Sequence, residues 1–125
     1  MNEIKLPYVR LSYTEPIVFL MYKKDVELGF PEIRELIACA EKLSKGKPYV
    51  TFSDATDGID ITPEGKRYVS NFDNMPLFRG TAILVSNNLY KIALDFTSLF
   101  QHQAYPFKAF TSKEKAIEWL NTLPL

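Results

Sequence analysis

A chain of 125 residues is one domain's worth, long enough to bury a core without metal or disulfide staples. Its 46% hydrophobic and 24% charged residues exclude a disordered segment. Fifteen basic residues cancel fifteen acidic ones, so the chain lacks the basic excess with which a nucleic-acid binder neutralises phosphate. Such neutrality weakens self-repulsion and suits self-association. The single Cys39 excludes an internal disulfide. The opening MNEIKLPYVR has no apolar signal core, and the longest apolar run, Ile17 to Tyr22, is too short to span a bilayer. A cytoplasmic protein without membrane insertion is expected. Aromatic residues make up 14%, more than a small core readily hides, so some are expected at a pocket or interface.

Ile4-Lys5-Leu6 alternates, and beyond Pro7 the alternation resumes in the other phase at Val9, Leu11 and Tyr13. Proline lacks a ladder donor, which predicts one edge strand with a bulge or phase change at Pro7. Thr14-Glu15-Pro16 turns the chain into Ile17–Tyr22, apolar on both faces as in a strand covered on each side. These two strands are expected to form an antiparallel hairpin. Pro31 opens a first helix, with Ile33, Leu36, Ile37, Ala40 and Leu43 on one stripe and Gly46 as its stop. Tyr49 to Phe52 is a short strand ended by Ser53-Asp54, and a loop follows. Thr62 and Pro63 start a second helix that carries Tyr68, Val69 and Phe72 inward and ends between Asn71 and Pro76.

Gly80–Val85 is another apolar strand, and Ser86-Asn87-Asn88 a turn. Leu89, Ile92, Ala93, Phe96 and Leu99-Phe100 recur at helical spacing, broadened by Tyr90 and Leu94, and predict a third helix. Pro106–Phe110 is a final strand. Thr111 and Glu114 stand as a capping box before Ala116, Ile117, Leu120 and Leu123. The order β-β-α-β-α-β-α-β-α predicts a single α/β domain over residues 1–125. Its sheet is mixed but mainly parallel, with about five strands, an antiparallel N-terminal hairpin and about four flanking helices.

That order, with a helix opening after a strand and a loop that ends in Asp60-Ile61-Thr62, resembles the STAS domain (sulfate transporter and anti-sigma-factor antagonist). Gly80-Thr81-Ala82-Ile83-Leu84-Val85, a helix, and Pro106-Phe107-Lys108-Ala109-Phe110 with Glu114, Ala116, Trp119 and Leu120 are similar to the tail of small bacterial STAS-like proteins. The resemblance covers the chain from about Ile17 onward and implies the fold more than the function. It implies a non-catalytic module that binds a protein partner or itself, as a homodimer. A looser similarity to lipid-binding CRAL-TRIO domains implies an apolar small-molecule ligand instead. Phosphorylatable members carry Asp-Ser-x-Gly at a helix N-terminus, where added charge is favoured. With Asp54 as the strand-ending residue and Gly65 as the motif glycine, the acceptor position falls on Pro63, which has no hydroxyl. A shift by one brings in Thr62 but puts Ile61 where the Asp belongs.

Thr62 therefore reads first as a helix cap and second as a regulatory hydroxyl. Asp54, Asp57 and Asp60 recur every three residues on the loop rim, where turn and capping roles outweigh a metal site. His102 reads as a solvated turn residue without an oriented partner, and Cys39 as a buried inert thiol. There is no glycine-rich phosphate loop, nucleophile elbow or zinc spacing, so neither an enzyme nor a cofactor is expected. Tyr68, Phe72, Phe78, Tyr90, Phe96 and Phe100 are expected near the carboxyl ends of the sheet, where α/β proteins bind ligands. There they serve as plain core, as a dimer interface or as an apolar groove.

Overall fold

The computed structural model describes residues 2–86 and 105–125. The chain starts with β1 (Glu3–Lys5), β2 (Val9–Thr14), β3 (Ile17–Tyr22) and β4 (Val26–Leu28). Then come α1 (Phe30–Ser44), β5 (Tyr49–Asp54), β6 (Ile59–Ile61) and α2 (Pro63–Val69). A 3₁₀ turn (Phe72–Asn74), β7 (Phe78–Leu84), β8 (Phe107–Phe110) and α3 (Lys113–Leu120) complete the described elements. Six strands form one sheet in the order β1-β2-β3-β5-β7-β8. The first two pairings are antiparallel and the remaining three parallel. The mixed sheet with its N-terminal hairpin is the expected architecture.

Several features differ from the sequence reading, each for a local reason. Pro7 does not bulge one edge strand but reverses the chain. Ile4 pairs with Leu11, and Leu6 N–H bonds Val9 O at 2.9 Å to close the turn. The missing proline donor thus ends one strand and begins another, giving six strands rather than about five. The loop before Thr62 contains β6, which pairs in parallel with β4 as a separate two-stranded ladder. Each of these strands has three residues, too few for an alternation to register. The cap of α3 is Ser112, whose Oγ accepts the Lys115 N–H, rather than Thr111, so Glu114 sits one position short of a capping box.

The predicted third helix, Leu89 to Phe100, lies outside the described residues, together with Tyr90, Phe96, Phe100 and His102. Three α-helices stand among those described, of which none is long and apolar enough to cross a membrane. Phe72 opens the 3₁₀ turn rather than extending α2, because the helix is capped already at Ser70.

Two cores flank the sheet. Val9, Leu11, Val18 and Leu20 meet Ile33, Leu36, Ala40 and Leu43 of α1 on one face. On the other, Ile17, Val50, Phe52 and Ala82 meet Ala116 and Leu120 of α3. Gly65 lets α2 press against α1. A Cβ there would lie 3.0 Å from the Leu28 carbonyl oxygen and 2.8 Å from Ile33 Cδ1, so both neighbours would have to shift to admit it.

Candidate functional site

The β4–β6 ladder leads both chains directly into helices. Val26 pairs with Ile59 and Leu28 with Ile61, and Thr62 N–H then bonds Leu28 O at 2.9 Å. Thr62 has extended backbone (φ −67°, ψ 160°), and its Oγ1 accepts the Gly65 N–H at 3.1 Å while Pro63 occupies the first turn. At the neighbouring helix start, Gly29 N–H donates to Glu32 Oε1 at 2.9 Å, and Pro31 again needs no donor. At each helix start one N–H is thus satisfied by a side chain three residues away, that of Gly65 by the cap residue Thr62 and that of the cap residue Gly29 by Glu32.

From this shared origin α1 and α2 run back over the sheet. Between them and the sheet lies a cavity of ≈ 100 Å³. Its helical wall is Ile33, Leu36, Ile37 and Ala40 of α1 with Val69 of α2, and Leu28, Ile61 and Met75 line it as well. Its sheet wall is Leu20 and Tyr22 of β3, Tyr49, Thr51 and Ser53 of β5, and Phe78 and Thr81 of β7. Tyr22, Ile37 and Ile61 keep part of their surface in solvent. Four hydroxyl side chains besides Tyr49 therefore border a space whose exposed surface is nearly all carbon. Thr51 Oγ1 donates to Thr81 Oγ1 at 2.7 Å in a buried pair. Burial pushes the Tyr22 phenol up to about 12, with a hydrogen bond to Ser53 acting in the opposite direction. The Tyr49 phenol is also raised, first by burial and then by the charge of Glu41.

The residues singled out from sequence are dispersed. Thr62 is the cap of α2. Asp54 accepts from the backbone and the hydroxyl of Thr56, at 3.1 and 2.7 Å, which makes it a turn residue. Asp60 bonds the Ile61 N–H at 3.0 Å, and Asp57 is exposed. Among the described residues, no three His, Cys, Asp or Glu side chains are grouped to hold a metal ion. Tyr68 stands edge-on to Phe30 at 4.9 Å, beside a surface groove with Glu64 and Arg67. Phe78 lies instead at the amino end of β7, against Tyr49 at 6.2 Å and Tyr105 at 4.8 Å. The two aromatic candidates thus belong to different pairs, and only Phe78 reaches the cavity. The Phe72 side chain lies outside what is described. Cys39 is half-buried, its thiol pushed up by burial and then by Glu35.

The hydroxyls of the sheet wall went unremarked in the sequence, although a signal exists. A central parallel strand is ordinarily apolar on both faces. Tyr49-Val50-Thr51-Phe52-Ser53 alternates instead, and all five residues are buried. A period of two in a strand that is covered on each side marks one face as different in kind.

Among solved structures, the chain is similar to an uncharacterized protein of the DUF3478 family with a SpoIIAA-like fold, from Shewanella loihica PV-4. The identity is 20%, with 90% of this chain and 91% of that chain covered at a TM-score of 0.54. This establishes the SpoIIAA-like, STAS-like fold that the resemblance implied, and at this identity the fold alone. No curated protein matches the sequence. A family model does match residues 11–124, nearly the whole length, and the chain belongs to that family, described as a domain of unknown function (DUF7793).

Proposed function

We propose that this domain is a non-catalytic binding module that holds a small apolar molecule between its sheet and the α1–α2 pair. The cavity carries this reading. The space of ≈ 100 Å³ is lined almost wholly by carbon, so water in it finds few hydrogen-bond partners. A bound apolar group would recover contacts that this space forfeits. The volume is well below that of a typical drug-sized pocket, so the fitting occupant is a single ring or a short branched alkyl group. Thr62 serves this reading as a structural cap, since its oxygen already accepts a first-turn N–H.

The test is to titrate benzene and cyclohexane into the purified chain while following methyl NMR signals and thermal unfolding. Saturable shifts at Ile33, Leu36 and Ile37, with a rise in Tm, are expected. No saturable shift with either probe refutes the reading.

A second reading rests on Phe30, which is 39% exposed and packed on Tyr68 at the rim of a surface groove. A protein partner or a second copy docking there would bury that ring, and the resemblance to STAS interaction modules points the same way. Sedimentation of the wild type against Phe30→Ala tests the self-association arm. A strictly monomeric wild type removes it.

A further inference from the structure

The sheet wall of the cavity is chemically unusual. Thr51, Ser53 and Thr81 are 8%, 3% and 3% exposed, in central parallel strands where apolar side chains are the rule. A hydroxyl left open to an apolar cavity would hold a water molecule or invite a polar ligand. These hydroxyls are turned elsewhere. Thr51 and Thr81 stand opposite each other in the β5–β7 register, and Thr51 Oγ1 donates to Thr81 Oγ1 at 2.7 Å. Ser53 is 3% exposed beside the Tyr22 phenol. What faces the cavity is almost wholly carbon, although the wall contains five hydroxyl groups, those of Tyr22, Tyr49, Thr51, Ser53 and Thr81.

We propose that the cavity takes uncharged hydrocarbon-like molecules of about one ring and rejects alcohols and acids of the same shape, and that the Thr51–Thr81 pair sets this selectivity by turning its hydroxyls on each other. The proposal rests on the apolar-ligand reading above and specifies its ligand class. A ligand hydroxyl carried into this wall loses its water and finds no partner, which weakens binding on the order of ten- to a hundredfold. A carboxylate loses more, because an unpaired charge is costlier to bury than a dipole. Removing one member of the pair frees the other to bond a polar ligand, whereas removing both restores an apolar wall.

The experiment compares benzene with phenol on the full chain by methyl NMR titration, in wild type, Thr81→Val, Thr51→Val and Thr51→Val/Thr81→Val. The expected wild-type result is saturable benzene binding with phenol at least tenfold weaker. In either single variant that gap narrows several-fold, and in the double variant it returns to the wild-type value or beyond. Benzene and phenol binding within about twofold of each other in wild type overturns the proposal, as does an unchanged gap in both single variants. Absence of benzene binding in wild type overturns the apolar-ligand reading itself, a different outcome from the other two. Should a single variant fail to fold, the wild-type comparison still decides the selectivity.

Discussion

Two buried alanines allow the cavity to be probed by one chemical change made twice. Ala40 is 4% exposed on α1 and lines the cavity, whereas Ala116 is 0% exposed on α3 in the opposite core. Replacing Ala40 by Leu adds three carbons beside open space and alters helix propensity little. Burying three carbons there at ~0.8 kcal/mol each should stabilise the chain by ~1–2 kcal/mol after some loss to imperfect rotamers. For a domain of this size that corresponds to a rise in Tm of about 3–10 °C. Ala116→Leu forces the same three carbons into a packed site and should cost ~1–3 kcal/mol. Urea denaturation of the three proteins, with unchanged m values to secure the two-state comparison, gives both numbers. Ala40→Leu should also abolish the benzene response. A loss of stability at Ala40 equal to that at Ala116 would show that no usable space lies beside α1, and the ligand proposals would fall with it.

Gly65→Ala gains about 1 kcal/mol of helix propensity yet should destabilise on balance, because its Cβ meets the backbone oxygen of Leu28 at 3.0 Å as well as Ile33 Cδ1 at 2.8 Å; a more stable variant in urea would contradict these contacts. Thr62→Ala should lose about 1 kcal/mol through the Gly65 N–H it no longer accepts, and Thr62→Ser should recover most of that. The Tyr22 phenol is raised to about 12 in the folded chain from an ordinary value of 10.0, so the folded state holds its proton more tightly. Its contribution is fully present below pH 10 and is lost as pH rises through about 12. Urea midpoints measured from pH 9 to 11.5 should fall less steeply in Tyr22→Phe than in wild type, and parallel slopes would contradict the assignment.

Much of the fold was legible because its long elements announce themselves. Helix α1 shows an apolar stripe from Ile33 to Leu43, and Thr62-Pro63 marks the opening of α2 through two independent preferences, a capping hydroxyl and a proline without a donor. What stayed hidden was short or ambiguous. Val26–Leu28 and Ile59–Ile61 become strands only because each finds the other across more than thirty residues, a tertiary fact with no local trace. Thr111 and Ser112 are adjacent hydroxyls with equal chemistry, and the backbone alone chooses between them. The cavity was less accessible still. Phe78 reads from sequence as an aromatic near the carboxyl ends of the sheet, yet it stands at the amino end of β7, and the wall it shares with Thr51 and Thr81 depends on which strand faces of β5 and β7 come together under α1.

The small β4–β6 ladder also bears on how a guest could reach the interior. It ties the start of α1 to the start of α2 through the Thr62–Leu28 bond, and the absent side chain of Gly65 leaves no slack between them. Lifting α2 alone would break the Thr62–Leu28 bond and expose the buried Leu28 to water, so the two helix starts are expected to open together. Amides at the clasp should then exchange with deuterium together and at one rate.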